Sequence, residues 1–80
     1  MTQQEIQAKV NEFMTDRLEY KPSGIKPEAE LKHDLGMTSL DAAETAIFIK
    51  YTFGFQPERN AVKTLITVQD LYDYIEKNIA

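Results

Sequence analysis

Three times along this chain a threonine is followed, three residues later, by a carboxylate: Thr2 and Glu5, Thr38 and Asp41, Thr67 and Asp70. At that spacing the threonine oxygen accepts a backbone N–H that a helix start leaves unpaired, while the carboxylate reaches back to the threonine's own N–H. Each pair marks a helix start, and apolar residues at helical period follow each one. After Thr2 they fall at Ile6, Val10, Phe13, Met14 and Leu18, with the stem of Arg17 on the same face, which predicts a first helix over about residues 3 to 18. After Thr67 they fall at Val68, Leu71, Tyr72, Ile75 and Ile79, a single stripe for a last helix.

The middle helix is expected from Ser39 to about Thr52, and it is patterned differently. Leu40, Ala43, Ile47 and Tyr51 form one apolar row, and Ala42, Ala46, Ile49 and Phe53 form another. A helix apolar around so much of its circumference is either surrounded by other elements or presents a greasy face to partners. Gly54, between Phe53 and Phe55, is the natural left-handed cap.

Between the first two helices lie the twenty residues Glu19 to Thr38, with Pro22, Ser23, Gly24, Pro27 and Gly36 among them. Loops of this length are uncommon in compact domains and are often functional. Ile25, Leu31 and Leu35 are spaced to pin it to a core, and Pro27–Glu30 suits one helical turn because proline favours a first helical position. Pro57–Thr64 reads as a short third helix. No window alternates as a strand would, and no repeat or low-complexity segment occurs. The expected fold is an all-α four-helix bundle, three principal helices plus a short one, with a long first loop.

Composition narrows the function. Eighty residues make one domain, residues 1–80, and a chain of this size buries only about 60% of its unfolded surface. Without cysteine it has neither disulfides nor a thiolate, so one apolar core must hold it together. A net charge of −4 and a pI near 4.8 argue against nucleic acid, which needs a basic face. No apolar run approaches the ~18 residues of a membrane span, and the polar start of the chain is unlike a signal peptide. A cytoplasmic monomer is expected.

Conventional catalytic sites fit poorly. His33 is the only histidine, so neither a metal cluster nor a Ser-His-Asp triad with room for a pocket is expected, and three scattered glycines do not cradle a phosphate. Ser39 remains as an exposed hydroxyl beside free N–H groups at a helix start. By itself that is a common placement for serine.

Its surroundings add the rest. Asp34-Leu35-Gly36, Ser39-Leu40-Asp41, Glu44, Phe53-Gly54, Ile66-Thr67-Val68 and Asp70 resemble the acyl carrier proteins, in order and at that family's spacing, over essentially the whole chain. The resemblance implies a four-helix bundle that performs no chemistry itself. It also implies that a phosphopantetheinyl transferase, using coenzyme A and magnesium, joins 4′-phosphopantetheine to the Ser39 hydroxyl. The phosphate would then sit at the positive end of the second helix. The arm would hold acyl groups as thioesters and deliver them to synthases, ligases, reductases or transferases in fatty-acid, lipid or polyketide-type biosynthesis. Leu40, Asp41, Glu44 and Ile47 would face those partners, with Met37 beside the arm. Two rivals stand beside this reading: an aminoacyl or peptidyl carrier, and an unmodified carrier-like interaction module.

The chain departs from the family pattern in three places. Thr38 stands where aspartate is usual, which keeps the cap and removes a charge. Lys50, Tyr51 and Thr52 replace a run of glutamates, and Pro57 comes one residue early. The change on the second helix reads either as drift on a solvated face or as a changed set of partners, and the second points to a specialised carrier.

Overall fold

A computed structural model describes residues 1–58 and 60–79. Four helices follow one another: α1 (Gln3–Asp16), α2 (Ser39–Phe53), α3 (Ala61–Thr64) and α4 (Val68–Ile79), with a 3₁₀ turn at Pro22–Gly24 in the first loop. The all-helical bundle expected from the sequence is the fold observed.

The three threonine–carboxylate pairs all close. Glu5 N–H donates to Thr2 Oγ1 at 3.2 Å and Thr2 N–H donates to Glu5 Oε1 at 3.0 Å. At α4, Asp70 N–H donates to Thr67 Oγ1 at 3.1 Å and Thr67 N–H to Asp70 Oδ2 at 3.0 Å. These N–H donors stabilise the ionised carboxylates, so the Glu5 and Asp70 carboxyls are both held below their ordinary values, chiefly by the threonine backbone N–H.

Helix α1 stops at Asp16, two residues short of expectation. Leu18 N–H turns back to the Phe13 carbonyl at 3.4 Å and Tyr20 N–H to the Met14 carbonyl at 3.0 Å. Glu19 between them takes the left-handed conformation, φ 61°, which breaks the helical path. Arg17 is therefore an exposed cap residue, and it lines a hollow with Phe13 and Phe48.

The long loop is tied down as expected by Leu31, fully buried, with Ile25 and Leu35 half-buried against the core. At Pro27–Glu30 a single turn closes, Ala29 N–H donating to Lys26 O at 3.0 Å, but it does not continue as helix. That segment's carbonyls are instead used by α4: Gln69 N–H donates to Pro27 O and Val68 N–H to Ala29 O, each at 2.9 Å. Leu31 N–H returns the pairing to Ile66 O at 2.8 Å, making an isolated antiparallel bridge between Glu30 and Thr67. The loop thereby satisfies donors that a helix start leaves open. Proline at a first helical position does occur in this loop, but at Pro22.

Helix α3 is a single turn, Ala61–Thr64, not the eight residues expected from Pro57. Asn60 ahead of it is left-handed, φ 69°, and Ala61 N–H closes a turn onto Glu58 O at 2.9 Å. Arg59, inside the expected helix, lies outside the described residues.

Ile6, Val10 and Met14 from α1, Ile49 from α2, and Val68, Leu71 and Ile75 from α4 meet at the centre, each at 0% exposure. Phe13 stacks on Phe48 with centroids 4.3 Å apart, fastening α1 to α2, and within α2 Phe48 meets Phe53 edge-on at 5.7 Å. Tyr72 is buried with its hydroxyl donating to the Asn11 side chain, and burial pushes that phenol above its ordinary value.

Candidate functional site

The chain reaches α2 through a fixed sequence of conformations. Gly36 is left-handed, φ 72°, and a Cβ there would meet nothing within 4 Å, so it is the backbone turn and not crowding that suits glycine. Met37 then anchors the approach, buried and donating its N–H to Leu31 O at 2.9 Å. Thr38 is extended (φ −92°, ψ 173°), and Ser39 is the first helical residue.

The cap is built between Thr38 and Asp41. Asp41 N–H donates to Thr38 Oγ1 at 3.1 Å, and Thr38 N–H donates to Asp41 Oδ2 at 3.2 Å. A third member comes from the far end of the loop, where Tyr20 O–H donates to the same Oδ2 at 3.0 Å. Burial, and then the Asp41 carboxylate, push the Tyr20 phenol well above its ordinary value, so it stays a neutral donor. Beneath the cap, the buried Thr45 hydroxyl donates to Asp41 O at 2.8 Å.

The consequence for Ser39 is freedom. The cap's bonds run between its neighbours, the residue is exposed, and the N–H groups of Ser39 and Leu40 are not used by the cap. Two hollows open beside it. One, of about 240 Å³, lies between α2 and α3, with Ala42, Ala43 and Ala46 on one wall and Val62 and Lys63 on the other. The second, of about 300 Å³, is lined by Lys32, Met37, Thr38, Ser39, Ala42 and Lys63.

The two apolar rows of α2 separate cleanly. Ala42 and Ile49 are buried, with Ala46 and Phe53 half-buried, whereas Leu40 (69%), Ile47 (58%) and Tyr51 (79%) are exposed together with Ala43. Of the residues expected on the partner-facing surface, Leu40 and Ile47 are there, and Glu44 is half-exposed. Asp41 is half-buried with its carboxylate engaged in the cap. Met37, expected beside the arm, is only 7% exposed; it anchors the loop immediately before the helix and lines a hollow next to Ser39. Lys50 sits over the Tyr51 ring at 5.7 Å and near the negative end of α2, which accounts for a cation in a position where the family often has acid. His33 is an exposed loop residue, and no group of metal-ligating side chains occurs among the described residues.

Sequence reasoning missed Tyr20, Lys32 and Lys63. No local signal marks them, because each reaches the site through tertiary structure.

A small helical bundle with a long tethered loop leading to a capped, groove-flanked helix start has the build of a carrier domain. Residues 8–75 match the family model described as the phosphopantetheine attachment site. The chain is 35% identical over 80 residues to an acyl carrier protein of Thermosynechococcus vestitus, covering all of this chain and 99% of that one. It is 35% identical over 75 residues to an acyl carrier protein of Cyanidioschyzon merolae, covering 94% of this chain and 82% of that one. An acyl carrier protein of Porphyromonas gingivalis is 33% identical over 75 residues, with 94% and 96% covered. The chain belongs to the acyl carrier protein family. Such proteins are carriers, not enzymes, and their cofactor is a covalently attached 4′-phosphopantetheine.

Proposed function

We propose that this chain, as one carrier domain, bears its 4′-phosphopantetheine on Ser39 and delivers acyl groups to the enzymes of a specialised fatty-acid, lipid or polyketide-type pathway. The observation that carries the reading is the isolation of the Ser39 hydroxyl. It is exposed at the first position of α2, while Thr38, Asp41 and Tyr20 satisfy one another around it.

The surroundings fit the group. The unclaimed N–H groups at the head of α2 favour a phosphate, and the adjacent α2–α3 hollow has a wall of small alanines against which an arm can lie. When bound, the group supplies the thiol on which cargo is held, and the chain has no cysteine of its own to compete. Leu40, Glu44 and Ile47 then present a mixed apolar and acidic surface next to the modified residue, suited to partners with a basic rim and an apolar centre. The pattern Lys50-Tyr51-Thr52 moves the far end of that surface away from acid, which supports a specialised partner set.

Incubation with coenzyme A, magnesium and a phosphopantetheinyl transferase, followed by intact mass spectrometry, tests the assignment. The wild type is expected to gain one phosphopantetheine and Ser39→Ala none. An unchanged wild-type mass with several transferases, or loading of Ser39→Ala, contradicts it.

A further inference from the structure

One of the two hollows beside Ser39 runs opposite in charge to the whole chain. The protein carries a net −4, yet the hollow of about 300 Å³ beside Ser39 is lined by two lysines and no carboxylate. Lys32 comes from the long loop and Lys63 from α3, so two separate elements bring cations to one serine. Three features keep acid away from this hollow. Thr38 supplies the cap without a charge. Asp41, the nearest carboxylate in sequence, turns its Oδ2 toward the N–H of Thr38 and the hydroxyl of Tyr20. Glu58 lines the neighbouring α2–α3 hollow but not this one.

We propose that Lys32 and Lys63 form a two-point cationic clamp for the phosphodiester at the root of the arm, a proposal that rests on Ser39 being the attachment site. A phosphodiester carries one negative charge and two free oxygens, and lysine binds phosphate oxygens as a mobile point charge on a flexible stem. The clamp adds to the head of α2, where the N–H groups of Ser39 and Leu40 already favour an anion. Lys63 lines both hollows, so a phosphate held between the lysines starts the arm at the mouth of the α2–α3 groove. Thr38 is the complement of this arrangement, because a carboxylate there would compete for the same cations. Both lysines are exposed, so the clamp is weakened by salt.

The test compares apo protein with protein loaded from coenzyme A, loading being confirmed by intact mass. On loading, the side-chain ε-methylene resonances of Lys32 and Lys63 are expected to shift and those of Lys9 and Lys77 to stay. The shift should shrink as salt is raised. Loading should also raise the melting temperature by about 1–5 °C, the range for exposed charge pairs in a domain of this size. That gain should fall, to the part the head of α2 supplies, in the Lys32→Gln, Lys63→Gln double variant and return in Lys32→Arg, Lys63→Arg. Loaded protein whose Lys32 and Lys63 resonances do not move, or a gain unchanged in the glutamine variant, overturns the clamp and leaves the Ser39 assignment standing. Absence of loading in the wild type overturns both.

Discussion

Helices α2 and α4 are of similar length, yet they use their apolar residues in opposite ways. In α4 the apolar residues lie on one stripe, and Val68, Leu71, Tyr72 and Ile75 are all buried. In α2 they surround the helix, and only the row through Ala42 and Ile49 enters the core. Leu40, Ile47 and Tyr51 remain in solvent. A helix that serves only the fold needs one apolar face. One that also presents a surface to partners carries a second face that folding does not consume. The difference supports the proposed partner surface on α2, where Ser39 stands.

The comparison breaks if the outer row of α2 turns out to stabilise the fold. Leu71→Ala should cost about 3 kcal/mol in urea unfolding, because it removes a fully buried side chain and leaves a cavity. Ile47→Ala should change stability by no more than about 0.5 kcal/mol. Comparable losses at both positions would erase the distinction.

A smaller effect sharpens the account of the cap. Tyr20→Phe should cost about 1.5 kcal/mol, since it removes a hydrogen bond to a carboxylate. The same variant has a pH signature. Tyr20 and Tyr72 have phenols raised above their ordinary value in the folded state. The stability this gives is therefore complete below about pH 10 and is lost as pH rises through the raised folded values. Denaturant midpoints should fall on the alkaline side, and less steeply in Tyr20→Phe.

At the start of α4 the sign is reversed and the effect smallest. Asp70 is held below its ordinary value by the N–H of Thr67. Its contribution is present above about pH 4 and is lost as pH falls through the lowered folded value. Asp70→Asn should flatten the acid limb of the stability profile without touching the alkaline one.

What could be read from the sequence was local. The pairs Thr2–Glu5, Thr38–Asp41 and Thr67–Asp70, the left-handed Gly54 and the single stripe of α4 depend on residues within a turn of one another, and all appear in the structure. The misreadings share a tertiary cause. The Pro27–Glu30 segment closes one turn and then gives its carbonyls to α4, and the region after Pro57 is turned by a left-handed Asn60. Met37, expected beside the arm, is also a buried anchor of the loop, which only the tertiary structure shows. Tyr20 meets Asp41 across twenty-one positions, and Lys32 and Lys63 meet at Ser39 from two elements. Helical spacing carries no information about such encounters.

The division of labour within α2 is tested most directly by the double variant Leu40→Ala, Ile47→Ala. Its melting temperature and its rate of loading by a phosphopantetheinyl transferase should be measured side by side. The account predicts a melting temperature within about 6 °C of wild type and loading slowed about tenfold or more. A larger fall in melting temperature with loading unchanged would contradict it, because the outer row would then belong to the core and not to the partner.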